Sequence, residues 1–139
     1  EVCFNAFYQE SLPAFTQAQE QGVGLIIKTP LDSGWLAGIY SKDSTFVGSR
    51  NRWSRENVER RYELVKKFIE LIPEHESMSQ TALQFCLEFP QISTVIPGAE
   101  TIEQTYSNFM SSNNRLPPEI IQAIKDLWKN EIESSPMGW

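Results

Sequence analysis

The chain has 139 residues, of which 40% are hydrophobic and 22% charged, enough apolar material for one buried core and too much for a disordered or fibrous chain. Its net charge of −6 and pI near 4.8 exclude a surface built for nucleic acid or anionic membrane, which needs clustered Lys and Arg. No apolar run approaches the roughly 20 residues that span a bilayer, and no charged-then-apolar secretory segment opens the chain, so the expected setting is cytoplasmic, with no nucleic-acid and no membrane partner.

Val2-Cys3-Phe4-Asn5-Ala6-Phe7-Tyr8 reads as a strand, entered directly from Glu1. A terminus without lead or cap is unusual, and further sequence upstream is expected. Ser11-Leu12-Pro13 reads as a cap with proline in the first turn. A helix over residues 14–21 follows, stopping at Gly22 and packing Phe15 and Ala18 inward. Residues 23–27 form a continuous apolar run, as expected of a strand buried on both faces of a parallel sheet. Residues 32–52 hold Gly34, Gly38, Gly48 and several hydroxyl residues, so a long loop is expected, of a length that usually serves function.

The surest helix spans residues 54–72, capped by Ser54, with Val58, Tyr62, Val65, Phe68, Ile69 and Ile72 as its core stripe. The richest basic stretch, residues 50–61, is broken by Glu56 and Glu59 and reads as a solvated loop and helix face. A second helix is expected over residues 79–88, ended by Pro90, and a strand over residues 92–96. Thr101-Ile102-Glu103-Gln104 matches a capping box, so a helix over residues 102–110 begins there. Pro117-Pro118 opens the last helix, with Ile120, Ile121, Ile124, Leu127 and Trp128 as its stripe, and residues 134–139 read as a frayed tail. Cys3 and Cys86 lack metal or CxxC spacing and read as buried thiols; His75, the sole histidine, reads as a solvent-facing loop residue, and no metal site is expected.

Two places look like anion sites. The β-branched run of residues 93–96 stops at Pro97-Gly98, with a helix start three residues on, and residues 25–28 run into Thr29-Pro30-Leu31-Asp32-Ser33-Gly34. Strand ends of this kind cradle phosphates, and two successive strand-loop-helix units imply parallel strands with ligand loops on one rim.

Pro30-Leu31-Asp32-Ser33-Gly34-Trp35-Leu36-Ala37-Gly38, Ala82-Leu83-Gln84-Phe85, and Ser93 to Gly98 with Glu103-Gln104 and Asn108 together resemble the C-terminal half of the aldo-keto reductase family. Members are (β/α)8 barrels of the TIM type that reduce carbonyls with a nicotinamide cofactor. The resemblance implies an α/β fold in which residues 1–139 are the last three βα units (strands 6 to 8) plus a C-terminal helix. It also implies NADP or NAD as cofactor and a small carbonyl substrate in the complete protein. Thr29, Leu31 and Ser33 fall where the family wraps the diphosphate, the alternative being a plain tight turn. Gly98 falls where backbone must approach a phosphate or ribose, the alternative being a simple turn glycine. Gln104 and Asn108, four apart on one helix face, fall at the adenosine end, although Gln104 can instead serve only the Thr101 cap. Asn5 resembles a polar residue under the nicotinamide, or a strand-end amide that satisfies backbone groups. Lys28 stands where the basic residue of one group of members precedes the loop.

The departures are as specific. Lys28 replaces an aromatic residue that in many members stacks on the nicotinamide, Phe4 replaces a glutamine, and Ile39 replaces a lysine. Glu100 would repel the 2′-phosphate of NADP and could accept from a free 2′-hydroxyl, which leaves NAD open. The family's catalytic Asp, Tyr, Lys and His have no counterpart here, so the chain alone is expected to be inactive, with a non-catalytic nucleotide-binding or regulatory module as the alternative. Three strands cannot close a barrel. A homodimer through the exposed half-barrel edges is the expected association.

Overall fold

Three short parallel strands form one sheet in the order β1-β2-β3 in the computed structural model, which describes residues 1–137. β1 is Val2–Cys3, β2 is Leu25–Lys28 and β3 is Ile92–Val95. The crossovers carry the helices: α1 (Pro13–Glu20) joins β1 to β2, and α2 (Arg55–Ile69) and α3 (Met78–Leu87) join β2 to β3. After β3 come α4 (Ile102–Met110) and α5 (Pro118–Glu131). Such crossovers are what parallel pairing demands, since the chain must return to the starting edge before the next strand begins.

Val2 lies opposite Ile27 and Cys3 opposite Lys28. Leu25 pairs with Ile92 but Ile26 with Thr94, so Ser93 is an extra residue in β3. Gly24 flanks that irregularity, and a Cβ there would lie 2.7 Å from the Ser93 hydroxyl, which would have to turn aside.

The core is aromatic near β1. Phe4 is fully buried and meets Phe15, Phe85 and Phe89 at ring-centroid distances of 5.1, 5.6 and 4.9 Å. A second cluster, Trp35, Tyr40, Phe46 and Trp53, packs the connection between β2 and α2. α5 closes against α2 through Lys67 to Glu131 at 2.6 Å, with Arg60 donating to the Glu131 carbonyl at 2.9 Å.

Several expectations need correction. The first strand ends at Cys3 rather than Tyr8, because the Asn5 side-chain oxygen accepts from the Phe7 N–H at 2.8 Å and turns the chain back. Local side-chain bonds of this kind compete with strand pairing. Ser11 does not cap α1; its hydroxyl donates to the Cys3 carbonyl at 2.9 Å instead. β2 is not buried on both faces: Leu25 and Ile27 are covered, while Val23 and Ile26 are exposed. The long loop contains tight turns over Asp32–Ala37, kinked at Ser33 and Gly34, and a 3-10 segment over Gly48–Arg52. α2 is capped by Ser54 as expected, but ends at Ile69, which is exposed. α3 starts one residue early, on a capping box between Ser77 and Gln80 that the sequence reading missed. The tail is not simply frayed, since Met137 is buried; Gly138 and Trp139 lie outside the described residues. Cys86 is buried, which pushes its thiol pKa up, whereas Cys3 is half-buried.

Candidate nucleotide-binding rim

Parallel strands end on a common rim, and the turns that follow β2 and β3 lie there side by side. The Ile96 N–H donates to the Ile27 carbonyl at 2.9 Å, which sets the approach to Pro97-Gly98 against the end of β2. From the other side the Asn5 amide donates to the Thr29 carbonyl at 2.8 Å. The end of β2 therefore stands between Asn5 on one side and the approach to the 97–101 turn on the other. Asn5 is fully buried with both ends of its amide satisfied by backbone; Lys28 is exposed at the strand end.

The turn after β2 is held in an uncommon shape. Thr29, Asp32, Ser33 and Gly34 have φ of 53, 47, 56 and 106°, and left-handed non-glycine residues cost about 1–3 kcal/mol each. Inside the turn, Asp32 N–H donates to the Thr29 carbonyl at 3.1 Å, and Gly34 and Leu36 N–H to the Leu31 carbonyl at 2.9 and 3.1 Å. The Thr29 hydroxyl donates to the Lys28 carbonyl at 2.8 Å. Leu31 and Ser33 are half-buried, Pro30 and Asp32 buried.

Asp32 and Arg61 are the residues the sequence reading missed. Arg61 Nη1 lies 3.4 Å from Asp32 Oδ2, and the two side chains are 2% and 4% exposed. Burial raises the Asp32 pKa above the usual carboxylate range while Arg61 pulls it back. Burial likewise lowers that of Arg61, opposed by Asp32. The expected solvated basic face is thus wrong at this position. The available signal was helical phase, since Val58, Arg61, Val65 and Phe68 fall on one stripe.

After β3, Gly98 has an ordinary φ, and a Cβ there would meet nothing within 4 Å. Neither backbone strain nor packing requires glycine at this position. The Asn108 amide donates to the Gly98 carbonyl at 3.2 Å, folding the turn over the first turns of α4. Gln104 accepts the Glu100 N–H at 2.7 Å, and its own N–H donates to the Thr101 hydroxyl at 3.1 Å. The capping box is therefore displaced by one residue, the glutamine reaching Glu100 rather than Thr101. Gly98 and Glu100 are exposed. Thr94, Val95, Pro97, Ala99, Asn108 and Phe109 line a groove of about 360 Å³ between β3, α3 and α4, within the range of small-ligand sites.

Among the described residues no cluster of His, Cys, Asp or Glu is placed to hold a metal, and no helix is long and apolar enough to cross a membrane. His75 is exposed, far in sequence from both turns.

Residues 1–129 match the family model described as the aldo/keto reductase family. Curated relatives include the oxidoreductase YrpG of Bacillus subtilis, 28% identical over 94% of this chain and 39% of its own length. Another is a probable voltage-gated potassium channel subunit beta of Arabidopsis thaliana, 28% identical over 91% of this chain and 40% of its own. Among solved structures, the holo form of aldo-keto reductase AKR11C1 from Bacillus halodurans is 26% identical with a TM-score of 0.69, covering 89% of this chain and 40% of that one. The glycerol dehydrogenase AKR11B4 of Gluconobacter oxydans, at 18% identity, is similar in fold alone, with a TM-score of 0.82 over 94% of this chain and 42% of that one. The chain thus spans about two fifths of the length of the relatives it matches. With its small parallel sheet and helical crossovers matched over that shared length, the chain belongs to the aldo/keto reductase family of oxidoreductases.

Proposed function

We propose that this chain is the nicotinamide-nucleotide-binding part of an NAD(P)H-dependent reductase of carbonyl compounds, corresponding to barrel strands 6 to 8 and the closing helix. The 29–34 turn takes the diphosphate through Thr29, Leu31 and Ser33, with Lys28 and Asn5 toward the nicotinamide. Gly98 admits the nucleotide backbone, and Glu100, Gln104 and Asn108 border the adenosine. The observation that carries this reading is Gly98. It is a glycine with ordinary φ and empty space where a side chain would stand, one strand away from a turn rich in left-handed residues. A ligand that must approach the backbone closely accounts for that glycine. General acid chemistry on the carbonyl then comes from family residues outside this chain.

Titration with NADPH and NADH, followed by quenching of Trp35 and Trp53 emission, tests the reading. Trp35 directly follows the 29–34 turn, and the Trp53 ring centroid lies 6.0 Å from that of Trp35. Saturable quenching by a dinucleotide and none by sugar phosphates is expected. Gly98→Ala should leave the unfolding midpoint unchanged, because the new methyl meets nothing, and weaken the dinucleotide by about tenfold. Equal affinity in that variant would remove Gly98 from the site.

Glu100 decides the choice of nucleotide. Its carboxylate disfavours a 2′-phosphate, so Glu100→Lys is expected to shift the NADPH-to-NADH affinity ratio toward NADPH by about tenfold at low salt, and by less at high salt. An unchanged ratio would move the 2′ position elsewhere.

A second reading is a non-catalytic nucleotide-binding module, favoured by the similarity to the plant channel-subunit homologue. It predicts binding without turnover when the rest of the barrel is present. β1 and β3 each pair on one side only, and Ile96, Ile102, Tyr106 and Phe109 are exposed. Association of two chains through these edges forms part of the proposal.

A further inference from the structure

We propose that Arg61 is a positioning residue for the diphosphate turn, acting through Asp32 to hold residues 29–34 in their left-handed conformation. The inference rests on the reading that this turn takes a nucleotide diphosphate. Four of its six residues have positive φ and three of those are not glycine, so the turn left to itself would relax into other wells. Its internal hydrogen bonds shape it without setting where it sits. Two tethers from outside do that: Asn5 grips the Thr29 carbonyl from the β1 side, and Arg61 grips the Asp32 carboxylate from the α2 side.

Arg61 cannot serve by touching the ligand. Its side chain is 2% exposed, its guanidinium lies 5.3 Å from the centre of the Trp53 ring, and Nη1 is 3.6 Å from the Met137 sulfur. What it reaches is Asp32, one of the left-handed residues of the turn. A lone carboxylate there would oppose a diphosphate, and the guanidinium cancels that charge. Buried ion pairs contribute little to stability compared with apolar replacements of like volume. An ion pair at this place is better explained by the geometry it imposes.

The test is the double variant Asp32→Asn/Arg61→Met in the full chain. Asparagine tolerates left-handed φ, and methionine fills the guanidinium's place without leaving a buried charge. The thermal midpoint should stay close to that of the parent. Amide exchange at Gly34 and Leu36, measured without ligand, should rise by about tenfold while α2 and α3 amides keep their protection. NADPH should bind about tenfold more weakly. Unchanged exchange at Gly34 and Leu36 would overturn the proposal. So would a uniform rise across α2 and α3, the mark of a merely structural pair, and so would a loosened turn that still binds NADPH at parental affinity. If the parent itself takes no NADPH while the variant's turn loosens as described, the diphosphate reading is what has failed, while the hold of Arg61 on the turn stands.

Discussion

Arg61→Met alone is expected to lower the unfolding free energy by about 3–5 kcal/mol, because it leaves Asp32 buried without its counter-charge. The loss should depend on pH. Burial already raises the Asp32 pKa in the parent, and Arg61 opposes that rise. Without Arg61 the folded-state pKa moves further above the unfolded value of about 3.9. The native state then holds a proton more tightly than the unfolded chain, so this contribution is fully present below the unfolded pKa and is lost as pH rises through the folded one. The variant's deficit should therefore shrink on acidification from neutrality. Urea unfolding of parent and variant at neutral and mildly acidic pH checks this; parallel profiles would mean that Asp32 is solvated in the variant.

Phe4→Ala carries an effect of similar size. The ring is fully buried among three other phenylalanines, and truncation of such a side chain costs about 3–5 kcal/mol. In a chain of this length that is a fall in thermal midpoint of about 10 °C or more. Phe4 also stands between β1 and the Asn5 turn, and its carbonyl accepts from the Cys86 thiol at 3.7 Å. The variant should therefore lose amide protection around residues 5–8 before it loses it in α2. Calorimetry and amide exchange read the two effects separately. A drop in midpoint of only a degree or two would show that the aromatic cluster collapses to fill the space.

The helices were the legible part of the fold, for reasons that lie in particular residues. α2 declares itself by Ser54 and the stripe through Val58, Val65 and Phe68; α4 by Thr101 and Gln104; α5 by Pro117-Pro118. The strands were less legible because they are two to four residues long, too short for periodicity to separate strand from turn. Val2 to Tyr8 shows the failure clearly: apolar content suggested a strand throughout, and one amide at Asn5 ended it. In the candidate site, the strand ends, the glycine at 98 and the shared face of Gln104 and Asn108 could be read from spacing. The displaced cap at Glu100 could not.

From the chain of residues alone follow the acidic α/β character, the starts of α2, α4 and α5 at Ser54, Thr101 and Pro117-Pro118, and the two turns that resemble a nicotinamide-nucleotide site, because each depends on neighbours within a few positions. Only the folded structure decided that Asn5 and Thr29 are tied together and that Arg61 leaves the basic surface to pair with Asp32. Each of these joins residues more than twenty positions apart, and such contacts arise from how strands and helices stack, which no local pattern encodes.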